Sequence, residues 1–172
     1  MLSYILAVLV AGALVGIDQY TKALAVKNFA NGESVAFIKG ILRFAFCENS
    51  GGAWGMLSGY TWLLVSITFV IFVVLFALIL KLGAKNKLLF WAITLVLSGG
   101  IGNMIDRIFK DGKVVDFLQF DFWRTFPIFN VADCAVVIGA GLLLVYFIVE
   151  TAKDSKNKKQ LKSEINKENE SN

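Results

Sequence analysis

The chain has 172 residues, of which 57% are hydrophobic and 17% charged, with a formal net charge of +4 and a mean hydropathy of +0.68. Soluble domains carry roughly 45–50% apolar and about 25% charged residues, so this composition excludes an ordinary soluble domain and points to an integral membrane protein. With no histidine and only two cysteines, Cys47 and Cys134, the chain also lacks the means for Ser-His-Asp or Cys-His catalysis, a His-ligated zinc site or a disulfide framework.

A membrane span needs about 20 mostly apolar residues. Four segments qualify, at about 2–26, 59–80, 88–107 and 130–149. The first has a competing reading as a signal peptide, because Ala23-Leu24-Ala25 has the shape of a cleavage site. It has no basic leading region, however, and Asp18, Gln19 and Lys22 lie where a cleavable segment is neutral, so a retained helix is expected.

Between the first two spans, Leu42, Phe44 and Phe46 alternate with Arg43, Ala45 and Cys47, the period-2 pattern of a half-buried strand. Ser34 to Ile38 is its expected partner across a Lys39-Gly40 turn, which predicts a small sheet within about 34–58. Between the third and fourth spans, Val114, Val115, Phe117, Leu118, Phe120 and Phe122 form a second β-prone stretch, punctuated by Asp116 and Asp121. The fold class is therefore a membrane all-α bundle of four transmembrane helices with a small extracytoplasmic β-sheet.

Lys81, Lys85 and Lys87 lie between spans 2 and 3, and six of the 17 basic residues fall after Thr151. The positive-inside rule puts both of these regions, and hence both termini, in the cytoplasm. Basic charge gathered in a tail is not a nucleic-acid footprint. Residues 1–150 are expected to form the membrane domain. Residues 151–172, rich in Lys, Asn, Glu and Ser, are expected to be disordered.

Ionisable groups in a bilayer cost about 2.5–3.5 kcal/mol each on insertion scales and so require partners or a function. Four constellations at the outer ends of the spans meet this description. Asp18 and Lys22, at i and i+4, can form a buried ion pair, or a polar post that positions substrate or neighbouring loops. Asn49-Ser50-Gly51-Gly52-Ala53-Trp54 reads as a turn with an aromatic anchor, or as a place where backbone approaches a ligand. In the run from Ser98 to Arg107, helix packing accounts for the glycines but not for Asn103, Asp106 and Arg107. Asn130 and Asp133 have the spacing of a helix N-cap and its capping-box acid, which is sufficient reason for both. Asp116, within Val-Val-Asp-Phe-Leu, has no such ready explanation. Two carboxylates at one membrane depth, sharing a proton in a partly dry cleft, suit aspartic peptide hydrolysis with no cofactor or metal. Perturbed carboxylates also occur in plain ion-pair networks, so this reading stays open on residues alone.

These motifs, in this order on these spans, resemble those of the type II signal peptidases, the bacterial lipoprotein signal peptidase family, over about residues 1 to 150. They are Asp18-Gln-Tyr-Thr-Lys22, Asn49-Ser-Gly51-Gly-Ala-Trp54, Gly99 to Arg107, Val-Val-Asp116-Phe and Asn130-Val-Ala-Asp133. The resemblance implies a monomeric aspartyl endopeptidase of the bacterial inner membrane, with its active site near the extracytoplasmic face. Its partners would be membrane lipid and prolipoproteins bearing a diacylglyceryl group on the lipobox cysteine, and it would cut just before that cysteine. By the same resemblance, Asp116 and Asp133 look like the catalytic dyad. Asn103, Asp106, Arg107 and Asn130 would line or support the site, and Asp18, Lys22, Asn49 and Gly51 would lie near its mouth. Gly52 and Gly100 depart from the alanines expected there, and Cys47 and Cys134 have no role in the pattern.

Two other readings remain. A proton-coupled carrier would carry polar residues across the whole membrane, yet spans 2, 3 and 4 are nearly clean through their inner halves. A lipid-binding helper that does not cut would have no need of two carboxylates.

Overall fold

The computed structural model describes residues 1–51, 57, 59–82 and 86–171. Gly52, Ala53, Trp54 and Lys85, singled out above, lie outside the described residues. Four helices are long and apolar enough to cross a membrane. They are α1 (Leu2–Phe29), α2 (Thr61–Leu82), α3 (Lys87–Phe109) and α4 (Val131–Ser171). Three strands, β1 (Val35–Ile38), β2 (Leu42–Asn49) and β3 (Val114–Phe120), form one antiparallel sheet in the order β1-β2-β3.

The central helix is α3. Of its most apolar 18-residue window, 44% is buried, against 6% for α1 and α2 and 17% for α4. Its buried positions include Phe90, Ile93, Ser98, Gly99, Gly102, Asn103 and Asp106, and it packs against α1, α2 and α4. The outward faces of the other helices carry large apolar side chains such as Phe69, Val73, Phe76, Val137 and Phe147, as contact with lipid tails requires. Thr94 and Ser98 stay compatible with this setting because their hydroxyls donate to the carbonyls of Phe90 (2.9 Å) and Thr94 (2.6 Å).

Small residues let α3 and α4 approach closely. A Cβ on Gly99 would collide with the carbonyl oxygen of Ala132, and one on Gly139 would sit 2.8 Å from the carbonyl oxygen of Ala92. At the end of the bundle away from the sheet, Ala7, Ile79, Leu89, Phe90 and Ile93 form an apolar core. At the sheet end a second core joins Ala25, Val115 and Phe117, flanked by Phe29, Phe44, Phe46 and Val131.

Both predicted β regions form strands, and they pair with each other across the chain. β2 and β3 run from Leu42↔Phe120 to Asn49↔Val114, with a bulge between Phe44 and Cys47. On its other side β3 is joined to the approach to α4. Phe129 N–H donates to the carbonyl of Leu118 (2.9 Å), and Leu118 N–H donates back to that of Phe129 (2.8 Å). At the outer end of the sheet, Asp121 accepts from Gly40 N–H at 3.1 Å and from Arg124 at 2.8 Å, which ties the β1–β2 turn to the segment after β3.

One expectation is corrected. The tail after Thr151 was expected to lack structure, but α4 continues as helix to Ser171. Thr151 to Gln160 of this extension are exposed. Lys, Glu and Gln are good helix formers, no Gly or Pro follows Gly141, and extending an existing helix avoids the cost of nucleation.

The close crossing of α3 and α4 yields a test. Gly99→Ala should destabilise the fold by about 1–3 kcal/mol, the usual range for overpacking. Gly12→Ala, where nothing lies within 4 Å, should be neutral or stabilise by roughly 0.5–1 kcal/mol. Thermal unfolding of both variants in one detergent measures the contrast, and equal melting temperatures would refute the packing account.

Candidate active site

The fold brings the starts of β3 and α4, the end of β2 and the last turns of α3 to one place. Asp116 comes from β3, where Val114 to Phe117 are all buried. Asp133 lies in the first turn of α4 and is half-buried. Three asparagines hold the two carboxylates. Asn49 Nδ2 donates to Asp116 Oδ2 (2.9 Å), and Asn130 Nδ2 donates to Asp116 Oδ1 (2.6 Å). Asn103 Nδ2 donates to Asp133 Oδ1 (2.7 Å).

The capping-box reading of Asn130 and Asp133 also holds. Asp133 N–H donates to Asn130 Oδ1 (2.9 Å), and Asn130 N–H donates to Asp133 Oδ2 (3.1 Å). The cap and the carboxylate pair are thus one device. Asn130 uses its amide oxygen to start α4 and its amide nitrogen to reach Asp116, so the helix start sets where both carboxylates lie. Each of the other two asparagines is also oriented through its oxygen. Gly51 N–H donates to Asn49 Oδ1 (3.0 Å), and Lys22 Nζ donates to Asn103 Oδ1 (3.0 Å).

Asp18, Lys22 and Asp106 lie behind this layer rather than at a mouth, and they are at most 1% exposed. Lys22 Nζ pairs with Asp18 Oδ2 (2.8 Å) and Asp106 Oδ2 (3.1 Å). The i, i+4 pair legible in the sequence is therefore half of a larger cluster. Gln19 completes it, with Nε2 donating to Asp18, Asp106 and the carbonyl of Gly102. Lys110 adds a second cation on Asp106 at 2.8 Å. Gln19 stood inside a quoted motif, but its partners other than Asp18 lie 83 and 87 residues away, so no local pattern assigned it a role. Gly102 makes room for the cluster, since a Cβ there would sit 2.7 Å from Asp18 Oδ2.

In front of the carboxylates is a cavity of about 490 Å³. Its polar end is formed by Asn49, Asn103, Arg107, Asp116 and Asp133, and its walls by Val114, Phe120, Phe126, Pro127, Ile128, Phe129, Val136, Val137 and Ile138. Val137 and Ile138 are exposed on the outside of α4, so the cavity opens toward the face that meets lipid. Among the described residues, Arg107 is the one cation lining it, and its buried Nε has no hydrogen-bond partner. Cys134 also lines the cavity, while Cys47 is exposed on β2 opposite Asp116. Of the aromatic walls, Phe126 and Phe129 were not singled out from sequence, although five phenylalanines and one tryptophan lie from Phe117 to Phe129 there.

Burial pushes the Asp116 carboxyl up to about 7. The donors on Asn49 and Asn130 oppose that rise, and the neighbouring charge of Asp133 adds to it. A carboxyl near neutrality beside a second carboxyl can hold a proton for transfer while its neighbour accepts one. Removing a donor to the ionised form raises a carboxyl pKa further, so Asn49→Ala should move Asp116 upward from about 7. Infrared titration of the Asp116 carboxyl band in both proteins checks the sign, and an unchanged or lower midpoint would contradict the role given to Asn49.

Comparison with known proteins agrees with this geometry. Residues 10–149 match the family described as signal peptidase (SPase) II. A lipoprotein signal peptidase of Enterococcus faecalis is 41% identical over 151 residues, covering 87% of this chain and 92% of that one. One from Anoxybacillus flavithermus is 44% identical over 147 residues, covering 85% and 84%. A bacterial membrane enzyme solved by the in meso method at 2.3 Å resolution superposes with a TM-score of 0.76 at 33% identity, covering 86% of this chain and 90% of that one.

Proposed function

Since this chain belongs to the signal peptidase II family, we propose that Asp116 and Asp133 are its catalytic dyad. The chain is an aspartic endopeptidase that removes the signal peptide from prolipoproteins. The observation that supports the dyad is the pair of carboxylates, oriented by three asparagines, at the polar end of a cavity whose other walls are apolar.

In the proposed reaction one carboxylate takes a proton from a water molecule, and the water oxygen attacks the carbonyl carbon of the residue before the lipobox cysteine. The other carboxyl gives its proton to the carbonyl oxygen, which leaves a neutral gem-diol. Collapse of that intermediate returns a hydroxyl proton to the dyad, breaks the C–N bond and delivers a proton to the leaving amine of the cysteine. The dyad acts as a coupled pair, so no single general base is assigned. Arg107 supplies positive charge at the polar end, where charge develops on the substrate carbonyl. Asn49, Asn103 and Asn130 hold the carboxylates, Gly51 holds Asn49, and Asp18, Lys22 and Asp106 support them from behind.

The lipid on the substrate cysteine fits the apolar walls and the lateral opening along α4. The polar site lies wholly at the sheet end of the bundle, and the opposite end is an apolar core, which is not the lining of a conducting path. Lys81 and Lys87 mark that opposite end, together with Lys153, Lys156, Lys158 and Lys159 of the tail. This distribution supports cytoplasmic termini and a site near the extracytoplasmic face of the bacterial inner membrane. We read the working unit as a monomer of residues 1–150, with the tail beyond it.

Asp116→Asn and Asp133→Asn should each lower cleavage of a diacylglyceryl-modified prolipoprotein by about 10²–10⁴-fold while the protein remains folded. The unmodified precursor should not be cut. These rates are measured by gel shift with purified protein in detergent. Normal cleavage by either variant would remove the dyad. Loss of the shared proton should also slow the wild-type enzyme on the alkaline side, with a midpoint at or above about 7. A rate that is flat from pH 6 to pH 10 would argue against a proton held on the pair.

A further inference from the structure

The cluster behind the carboxylates reaches each of them by a separate route. Asp18 Oδ1 accepts from the backbone N–H of Ala132 (2.9 Å), the residue before Asp133. Asp106 Oδ2 accepts from the backbone N–H of Val115 (3.1 Å), the residue before Asp116. Lys22 joins these two carboxylates through one ammonium group. Its third contact is Asn103 Oδ1, whose amide nitrogen donates to Asp133. An amide has two ends of opposite polarity. Turned over, Asn103 would present its oxygen to the Asp133 carboxylate and its N–H₂ to the Lys22 ammonium, and both contacts would be repulsive. Asn130 Nδ2 also donates to Asn103 Oδ1 (3.1 Å), so the ammonium and that amide N–H₂ together leave one orientation favourable.

The geometry points to Lys22 as a positioning residue for the reaction. Together with Asn130 it sets the Asn103 amide so that its N–H faces Asp133, and it clamps the backbone ahead of both dyad residues through Asp18 and Asp106. Lys22 does not line the cavity. Its burial at 0% exposure would suit a purely structural ion pair, as the i, i+4 spacing suggests. A structural pair, however, has no need of the Asn103 contact. The inference rests on Asp116 and Asp133 being the working pair.

The test is a double-mutant cycle in the full chain, purified in detergent and assayed on a diacylglyceryl-modified prolipoprotein. Lys22→Met should lower kcat per folded molecule at least about tenfold and leave KM within about twofold, because the residue lies away from the cavity. Asn103→Ala, at the polar end of the cavity, should lower kcat to a similar extent. The double variant should stay within about threefold of the worse single variant, because both changes break one chain of contacts. If Lys22→Met accumulates too little folded protein, Lys22→Met with Asp18→Asn removes the uncompensated buried charge and leaves an acceptor for Ala132 N–H, and the same comparison is made on that background. Independent, multiplying losses would overturn the inference. So would a kcat within twofold of wild type alongside a lowered melting temperature. Failure of both Lys22 variants to fold, while Asn103→Ala folds, would assign the cluster to folding alone. Cleavage that survives Asp133→Asn is a different result, and it would remove the dyad itself.

Discussion

The structure depends on one ammonium group buried between two carboxylates. Lys22 holds Asp18 on its own helix and Asp106 on α3, all three essentially without exposure. A lone charge at this depth is expensive, and a pair is favourable only when its remaining hydrogen-bonding capacity is met. Here Ala132 N–H, Val115 N–H, Gln19 and Lys110 meet it. Two cations and two anions leave the cluster neutral, and its contacts reach α1, α3, β3 and α4. Polar groups that bind only one another in a medium without water cannot be separated cheaply, so this knot decides how the four elements meet.

In front of the knot the chemistry changes from charged to neutral. The described hydrogen bonds to the Asp116 side chain and to the Asp133 side chain come from asparagine amides and one backbone N–H. A lysine or arginine in direct contact would hold a carboxyl firmly ionised. Neutral donors fix its position while leaving burial to set its proton affinity, which is how Asp116 comes to lie near neutrality. Arg107 lines the same cavity, and neither Asp116 nor Asp133 is among its ion-pair partners in the described residues. Orientation and electrostatics are thus handled by different residues, with Lys22, Asp18 and Asp106 kept one layer back.

The remaining walls are apolar, as the proposed lipid-bearing substrate requires. Phe120, Phe126 and Phe129 pack edge and face against one another at 5.1–6.2 Å between ring centres, a rigid surface with little side-chain entropy to lose. The cavity opens past Val137 and Ile138 onto the side of the bundle. On the proposed reading, a peptide carrying its own lipid anchor would reach the carboxylates through this lateral opening.

What the sequence determined by itself was whatever depends on neighbours along the chain. Span lengths follow from apolar runs, the β2 strand from alternation and its β1 partner from the turn beside it, the Asp18–Lys22 pair from helical spacing and the Asn130–Asp133 cap from a three-residue offset. The order of its motifs on the spans was enough to point to the family. The tertiary structure decided what depends on distance. Asp106 joins Lys22 from 84 positions away, Asn49 meets Asp116 from 67, and β2 pairs with β3 across two whole helices. No local pattern carries those partners, because each is selected by which polar groups remain unsatisfied once the helices have packed. The same reason explains why Lys22 reads as a structural pair in the sequence but contacts Asn103 in the fold. It also accounts for the tail, where composition reports the lack of a core to pack against, and the helix continues because α4 already provides its first turn.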